Sequence, residues 1–123
     1  MHNSKIKKKI ITLIGPTACN KTSTAVYLVK KFPISIIGVD SVQIYKRFNI
    51  GSAKPPKEIL EKYRHHLVDS ADPENIFSVK DFYDQAYRIV MQAHSNNRIP
   101  LLVGGTMMYF NALFKGINDI PEG

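Results

Sequence analysis

Ile10-Ile11-Thr12-Leu13-Ile14-Gly15-Pro16-Thr17-Ala18-Cys19-Asn20-Lys21-Thr22, residues 10–22, runs from a short apolar segment through a breaker into Lys-Thr. The apolar segment, rich in β-branched residues, has the pattern of a strand buried on both faces of a parallel sheet. From Lys21 onward Ala25, Leu28, Val29 and Phe32 recur at three- and four-residue steps, and Pro33 closes the helix they predict. Strand, turn and helix in this order are the setting of a phosphate-binding loop. In such a loop backbone N–H groups converge on phosphate oxygens and the helix N-terminus adds partial positive charge. Gly15 to Thr22 are therefore the candidate phosphate- or nucleotide-binding residues: Gly15, Pro16, Thr17, Ala18, Cys19, Asn20, Lys21 and Thr22. Lys21 supplies a full charge, and the Thr22 hydroxyl is the candidate ligand for Mg²⁺. One position departs from the pattern. Asn20 stands where a P-loop has glycine, and asparagine tolerates left-handed backbone better than most residues. An ordinary βα turn with an incidental Lys-Thr is the competing interpretation.

The rest of the chain repeats the alternation. Ile34 to Val39 reads as a second buried strand ending in Asp40, and residues 41–56 read as loop. A short helix is predicted from about Lys57 to Tyr63, with Pro56 in its first turn, and His66-Leu67-Val68 as a short extended piece. Ser78-Val79-Lys80-Asp81 resembles a capping box. The helix it opens carries Val79, Phe82, Ala86, Ile89, Val90 and Ala93 on one face. Ile99 to Val103 is a third buried strand, ended by Gly104-Gly105. Thr106 is placed to cap a last helix, Met107 to Phe114, with Met107-Met108-Tyr109-Phe110 as a buried face. Strands alternating with helices predict a parallel sheet and the α/β class.

Composition narrows the function classes. The chain has 123 residues, 44% hydrophobic, enough for one globular unit, and the sequence divides into a basic arm (1–9) and that unit (10–123). A net charge of +7 favours anionic partners such as phosphates, nucleotides or nucleic acid. A single cysteine excludes a disulfide framework and fits a reducing cytoplasm. No apolar run approaches the ~20 residues of a membrane helix. The basic arm before Ile10 has the outline of a signal peptide, but the run after it ends in Gly-Pro with no cleavage site.

In open α/β sheets ligands bind beyond the carboxyl ends of the strands. The phosphate loop, Asp40 and Thr106 all fall there. Asp40 reads equally as a helix N-cap. The Leu101-Leu102-Val103 strand ends in glycine, so the strand-end carboxylate of an ordinary ATPase or GTPase is missing. His65-His66 reads as structural or surface rather than metal-binding, since adjacent side chains diverge. Tyr83 and Tyr87, at helical spacing, read as packing.

Taken in order, five segments resemble the tRNA dimethylallyltransferases, also called tRNA isopentenyltransferases. They are Gly15-Pro16-Thr17-Ala18 with Lys21-Thr22, Asp40-Ser41-Val42-Gln43-Ile44-Tyr45, and Gly51-Ser52-Ala53-Lys54-Pro55. His66-Leu67-Val68-Asp69 and Val103-Gly104-Gly105-Thr106-Met107-Met108-Tyr109-Phe110 follow. The resemblance implies a P-loop NTPase-like core, with residues 10–123 its N-terminal part. It implies transfer of a dimethylallyl group from dimethylallyl diphosphate to N6 of an adenine beside the tRNA anticodon. Lys21, Thr22 and Mg²⁺ would hold the diphosphate. Asp40 would be the general base, Thr106 would contact the target nucleotide, and Asp40, Ser41, Val42 and Gln43 would contact tRNA. Family members continue well past residue 123. The expectation is therefore a sheet incomplete on its C-terminal side, inactive alone, within a cytoplasmic enzyme that is monomeric at full length. The alternatives are a small P-loop kinase using ATP on a nucleoside or metabolite, and a non-functional remnant.

Overall fold

The computed structural model describes residues 9–15, 21–46 and 54–118. Eight elements follow one another: β1 (Ile11–Ile14), α1 (Lys21–Lys31), β2 (Ile34–Val39), α2 (Lys57–Lys62), β3 (His65–His66), α3 (Val79–Ser95), β4 (Ile99–Gly104) and α4 (Met107–Asn118). The strands form one sheet in the order β1-β4-β2-β3, and every pair is parallel. The basic arm up to Lys8 and loop residues Pro16–Asn20 and Gly51–Ala53 lie outside the described residues.

Period-two alternation along β2 and β4 splits the core between the two faces of the sheet. Ile34, Ile36 and Leu101 face α1, where they pack on Ala25. Ile37, Val39 and Leu102 face α3 and α4, against Phe82, Ala86, Val90, Tyr109, Phe110 and Leu113. Phe82 and Tyr109 stack across these two helices with ring centroids 4.3 Å apart. The capping box at the start of α3 is formed: Ser78 Oγ accepts from Asp81 N–H (3.0 Å), and Asp81 Oδ2 accepts from Ser78 N–H (2.9 Å). Tyr83 and Tyr87 stack at 5.7 Å and pack against the core.

Four expectations need correction. β1 is not buried on both faces: it forms a sheet edge among the described strands, Ile11 and Leu13 pack beside α1, and Ile14 is 49% exposed. Burial of a strand depends on what flanks it, which its own residues do not encode. Phe32 lies just past the end of α1 and is exposed. In α4 the buried face begins at Tyr109 and Phe110, whereas Met107 and Met108 point outward. β3 occupies His65–His66, one residue earlier than the predicted piece, because Leu67 turns into the left-handed region (φ 63°) and stops it. Among the described residues no helix is long and apolar enough to cross a membrane.

Candidate active site

β1, β2 and β4 deliver their carboxyl ends to one side of the molecule, and backbone bonds tie those ends together. Gly15 N–H donates to the Gly104 carbonyl (3.2 Å) and Thr106 N–H to the Val39 carbonyl (3.2 Å). The approach is so close that a Cβ on Gly104 would sit 2.0 Å from the Val39 carbonyl oxygen. That oxygen is backbone and cannot yield, so glycine is required.

Asp40 follows β2 directly and is half-buried. Its Oδ1 accepts from the N–H groups of Val42 (2.8 Å) and Gln43 (3.0 Å). No helix starts at Asp40, so the expected helix N-cap is instead the cap of a turn, 41–44, and both bonds go to one oxygen. The side chain of Thr106 points across to this turn. Its Oγ1 accepts from Ser41 N–H (2.9 Å) and donates to Ser41 Oγ (3.4 Å). Thr106 also stands at the start of α4, where its carbonyl receives the N–H groups of Tyr109 and Phe110. Its hydroxyl serves β2's turn rather than its own helix. Buried Tyr109 lies within the field of Asp40. Burial first, then Tyr45 and Asp40, push its hydroxyl above the ordinary phenol pKa.

The phosphate-loop residues Pro16, Thr17, Ala18, Cys19 and Asn20 lie outside the described residues, and its two ends are described. Gly15 closes β1 and Lys21 opens α1, with Lys21 Nζ donating to the Gly15 carbonyl (2.6 Å). Lys21 and Thr22 line a recess of about 40 Å³ together with Gln43, His65, Gly38 and Gly104. The loop's helical end and the segment after β2, distant in sequence, thus share one wall. Four of the exposed apolar side chains, Ile14, Val42, Met107 and Met108, lie at or within four residues after the carboxyl ends of β1, β2 and β4.

His65 enters the recess unannounced by any local pattern. Its Nδ1–H donates to the Tyr63 carbonyl (2.8 Å), which leaves Nε2 as an acceptor. Burial holds its pKa below the ordinary 6.5, against the opposing pull of that bond. His66 is also held low, by burial and then by Arg64, Arg98 and His65. Among the described residues no group of three or more His, Cys, Asp or Glu could hold a metal ion. Thr22 offers one hard oxygen beside Lys21, which suits a Mg²⁺ ion that keeps waters and phosphate oxygens as its main ligands.

Comparison with known proteins follows the same lines. The family model described as IPP transferase matches residues 43–123. The tRNA dimethylallyltransferase of Dichelobacter nodosus is 47% identical over 112 residues, covering 91% of this chain and 35% of that protein. The full-length tRNA isopentenylpyrophosphate transferase of Bacillus halodurans superposes with a TM-score of 0.82 at 40% identity, over 93% of this chain and 38% of that one. A eukaryotic dimethylallyltransferase acting on tRNA superposes with a TM-score of 0.80 at 29% identity, over 93% of this chain and 28% of its own. The chain spans about a third of the length of the curated relatives it matches. The P-loop NTPase-like parallel sheet flanked by helices, expected from the sequence, is the fold of these neighbours. Ordered motifs, strand topology and the match over residues 43–123 agree, and the chain belongs to the IPP transferase family.

Proposed function

We propose that this chain carries the phosphate-binding and proton-accepting part of a tRNA dimethylallyltransferase. The observation that carries the reading is the convergence of Asp40 and Thr106 beside a recess walled by Lys21 and Thr22. The donor is dimethylallyl diphosphate and the acceptor is N6 of an adenine in the anticodon stem-loop of tRNA. The N6 lone pair attacks C1 of the dimethylallyl group as the C1–O bond to diphosphate breaks. Charge grows on the departing oxygen, where Lys21 and the N–H groups at the start of α1 stabilise it. The proton on N6 becomes acidic only as the new N–C bond forms, and the Asp40 carboxylate takes it then. Oδ1 is engaged by Val42 and Gln43, so Oδ2 is the accepting atom. Thr106 and Ser41 fix the turn against α4 and offer hydroxyls to the nucleotide. The apolar rim of Val42, Met107 and Met108 suits the faces of unstacked bases. Thr22, with the diphosphate oxygens, would hold a Mg²⁺ ion, which would add positive charge at the leaving group.

A base must leave its stack to reach such a recess. Monomeric state and cytoplasmic location complete the proposal. The test uses the full polypeptide that the gene encodes, labelled dimethylallyl diphosphate and unmodified tRNA. Label should pass to tRNA with release of diphosphate, and Asp40→Asn should abolish most of it. Phosphate transfer from ATP without prenyl transfer would overturn the reading in favour of a kinase.

A further inference from the structure

Lys54 sits in a stretch of loop between β2 and α2, where a lysine is ordinarily solvated. Its side chain is only 5% exposed. Nζ donates to the Tyr45 carbonyl (2.6 Å) and to Asp69 Oδ1 (3.1 Å). These two acceptors belong to two different segments, and those segments are laced together. Asp69 N–H donates to the Gln43 carbonyl (2.9 Å), and the N–H groups of Ser70 and Ala71 both donate to Ile44 (2.8 Å each). Lys46 N–H returns a bond to the Ala71 carbonyl (2.8 Å), and the Tyr45 hydroxyl accepts from Phe77 N–H (3.0 Å). The second segment bends to meet the first: Leu67 and Asp69 have φ of 63° and 56°. A bulky leucine there stores strain that surrounding contacts must hold.

The laced turn is the one Asp40 opens. Val42 and Gln43, whose amides aim the Asp40 carboxylate, are three and two residues from the carbonyl that Lys54 grips. The ammonium is therefore a clamp at the turn's far end, and the Asp69 carboxylate supplies the countercharge. We propose that Lys54 is a positioning residue for Asp40, acting through the turn 40–45 and not by contact. The proposal deepens the prenyl-transfer reading, because Asp40's chemical role rests on that reading.

The experiment combines amide hydrogen exchange with kinetics on the full polypeptide. Loss of a charge-assisted hydrogen bond at a buried site opens what it held. Lys54→Met should lower protection at Val42, Gln43, Asp69 and Ser70 by about ten- to a hundredfold, while the amides of β4 keep theirs. It should lower kcat and leave KM for dimethylallyl diphosphate unchanged, since the transition-state contact of Asp40 is what is lost. Asp69→Asn keeps an acceptor without the charge, so the same amides should lose protection by a smaller factor. That variant decides the matter if Lys54→Met does not fold. Unchanged protection at Val42 and Gln43, or an equal fall there and in β4, would overturn the proposal. Should the wild type transfer no prenyl group, the activity reading fails and the exchange pattern still decides the role of Lys54.

Discussion

Asp40 and Asp81 hold the backbone in nearly the same way. Each carboxylate accepts from main-chain amides within three residues, Asp40 from Val42 and Gln43, Asp81 from Ser78. Asp81 does so on the exposed first turn of α3, where hydrogen bonds from Ser78, and then the Lys80 charge, pull its pKa down. Asp40 does so at the end of β2, in a turn whose Ser41 is bonded to Thr106 and whose Gln43 lines the recess with Lys21 and Thr22. The contrast teaches that a capping pattern alone does not mark an aspartate as structural. The proposed role of Asp40 rests on its position at the end of a strand.

Converting each aspartate to asparagine keeps an acceptor for the same amides and removes the base. The largest effect is expected at Asp40→Asn, a fall in kcat of roughly 10²–10⁴-fold, measured as prenyl transfer to unmodified tRNA. Asp81→Asn should leave turnover unchanged. Equal losses in both would mean that the two carboxylates are alike after all. Thr106→Val comes next. It leaves Ser41 N–H without its acceptor and should cost about 1–3 kcal/mol in urea unfolding, whereas Thr106→Ser should recover most of it. Ser78→Ala, on the structural side of the contrast, should cost about 1 kcal/mol with no change in turnover.

The smallest effect is the acid limb of stability. His65 and His66 have folded pKa values below the ordinary 6.5, so the unfolded chain binds more protons. Their contribution is complete above 6.5 and is lost as pH falls through the lowered values. Asp81 follows at lower pH: its contribution is present above the ordinary carboxylate pKa and lost as pH falls through the lowered one. Melting temperature should therefore decline in two steps on acidification. His66→Gln should flatten the upper step and Asp81→Asn the lower. A melting temperature that rises between pH 7 and pH 5 would contradict the sign worked out for the two histidines.

Much of this was legible in the sequence, for reasons that differ by residue. β2 ran from Ile34 to Val39 as read, because Pro33 and Asp40 bracket a β-branched run. α3 was legible because its cap is written in four consecutive residues. Lys21, Thr22, Asp40 and Thr106 were legible as strand-end residues, since alternation of strands and helices fixes where such ends gather. What escaped depends on partners far away. The exposure of Ile14 is set by which strands flank β1. The burial of Lys54 is set by Asp69, fifteen residues on, and the Thr106–Ser41 bond spans 65. His65 becomes part of the recess only because β3 pairs with β2.

The strand order also sets a timetable. β1 and β2 do not pair; each pairs with β4, which lies between them and is the last of the four described strands to be made. At ~5–20 residues per second, the ribosome takes on the order of ten seconds to pass from β1 to β4. Throughout that interval two apolar strands wait without their common neighbour. Neither β1 nor β2 can make its bonds to β4 until Gly104 has been made. Thr106 follows two residues later, so the bond to Ser41, and with it the candidate site, can form only after all four described strands have been made.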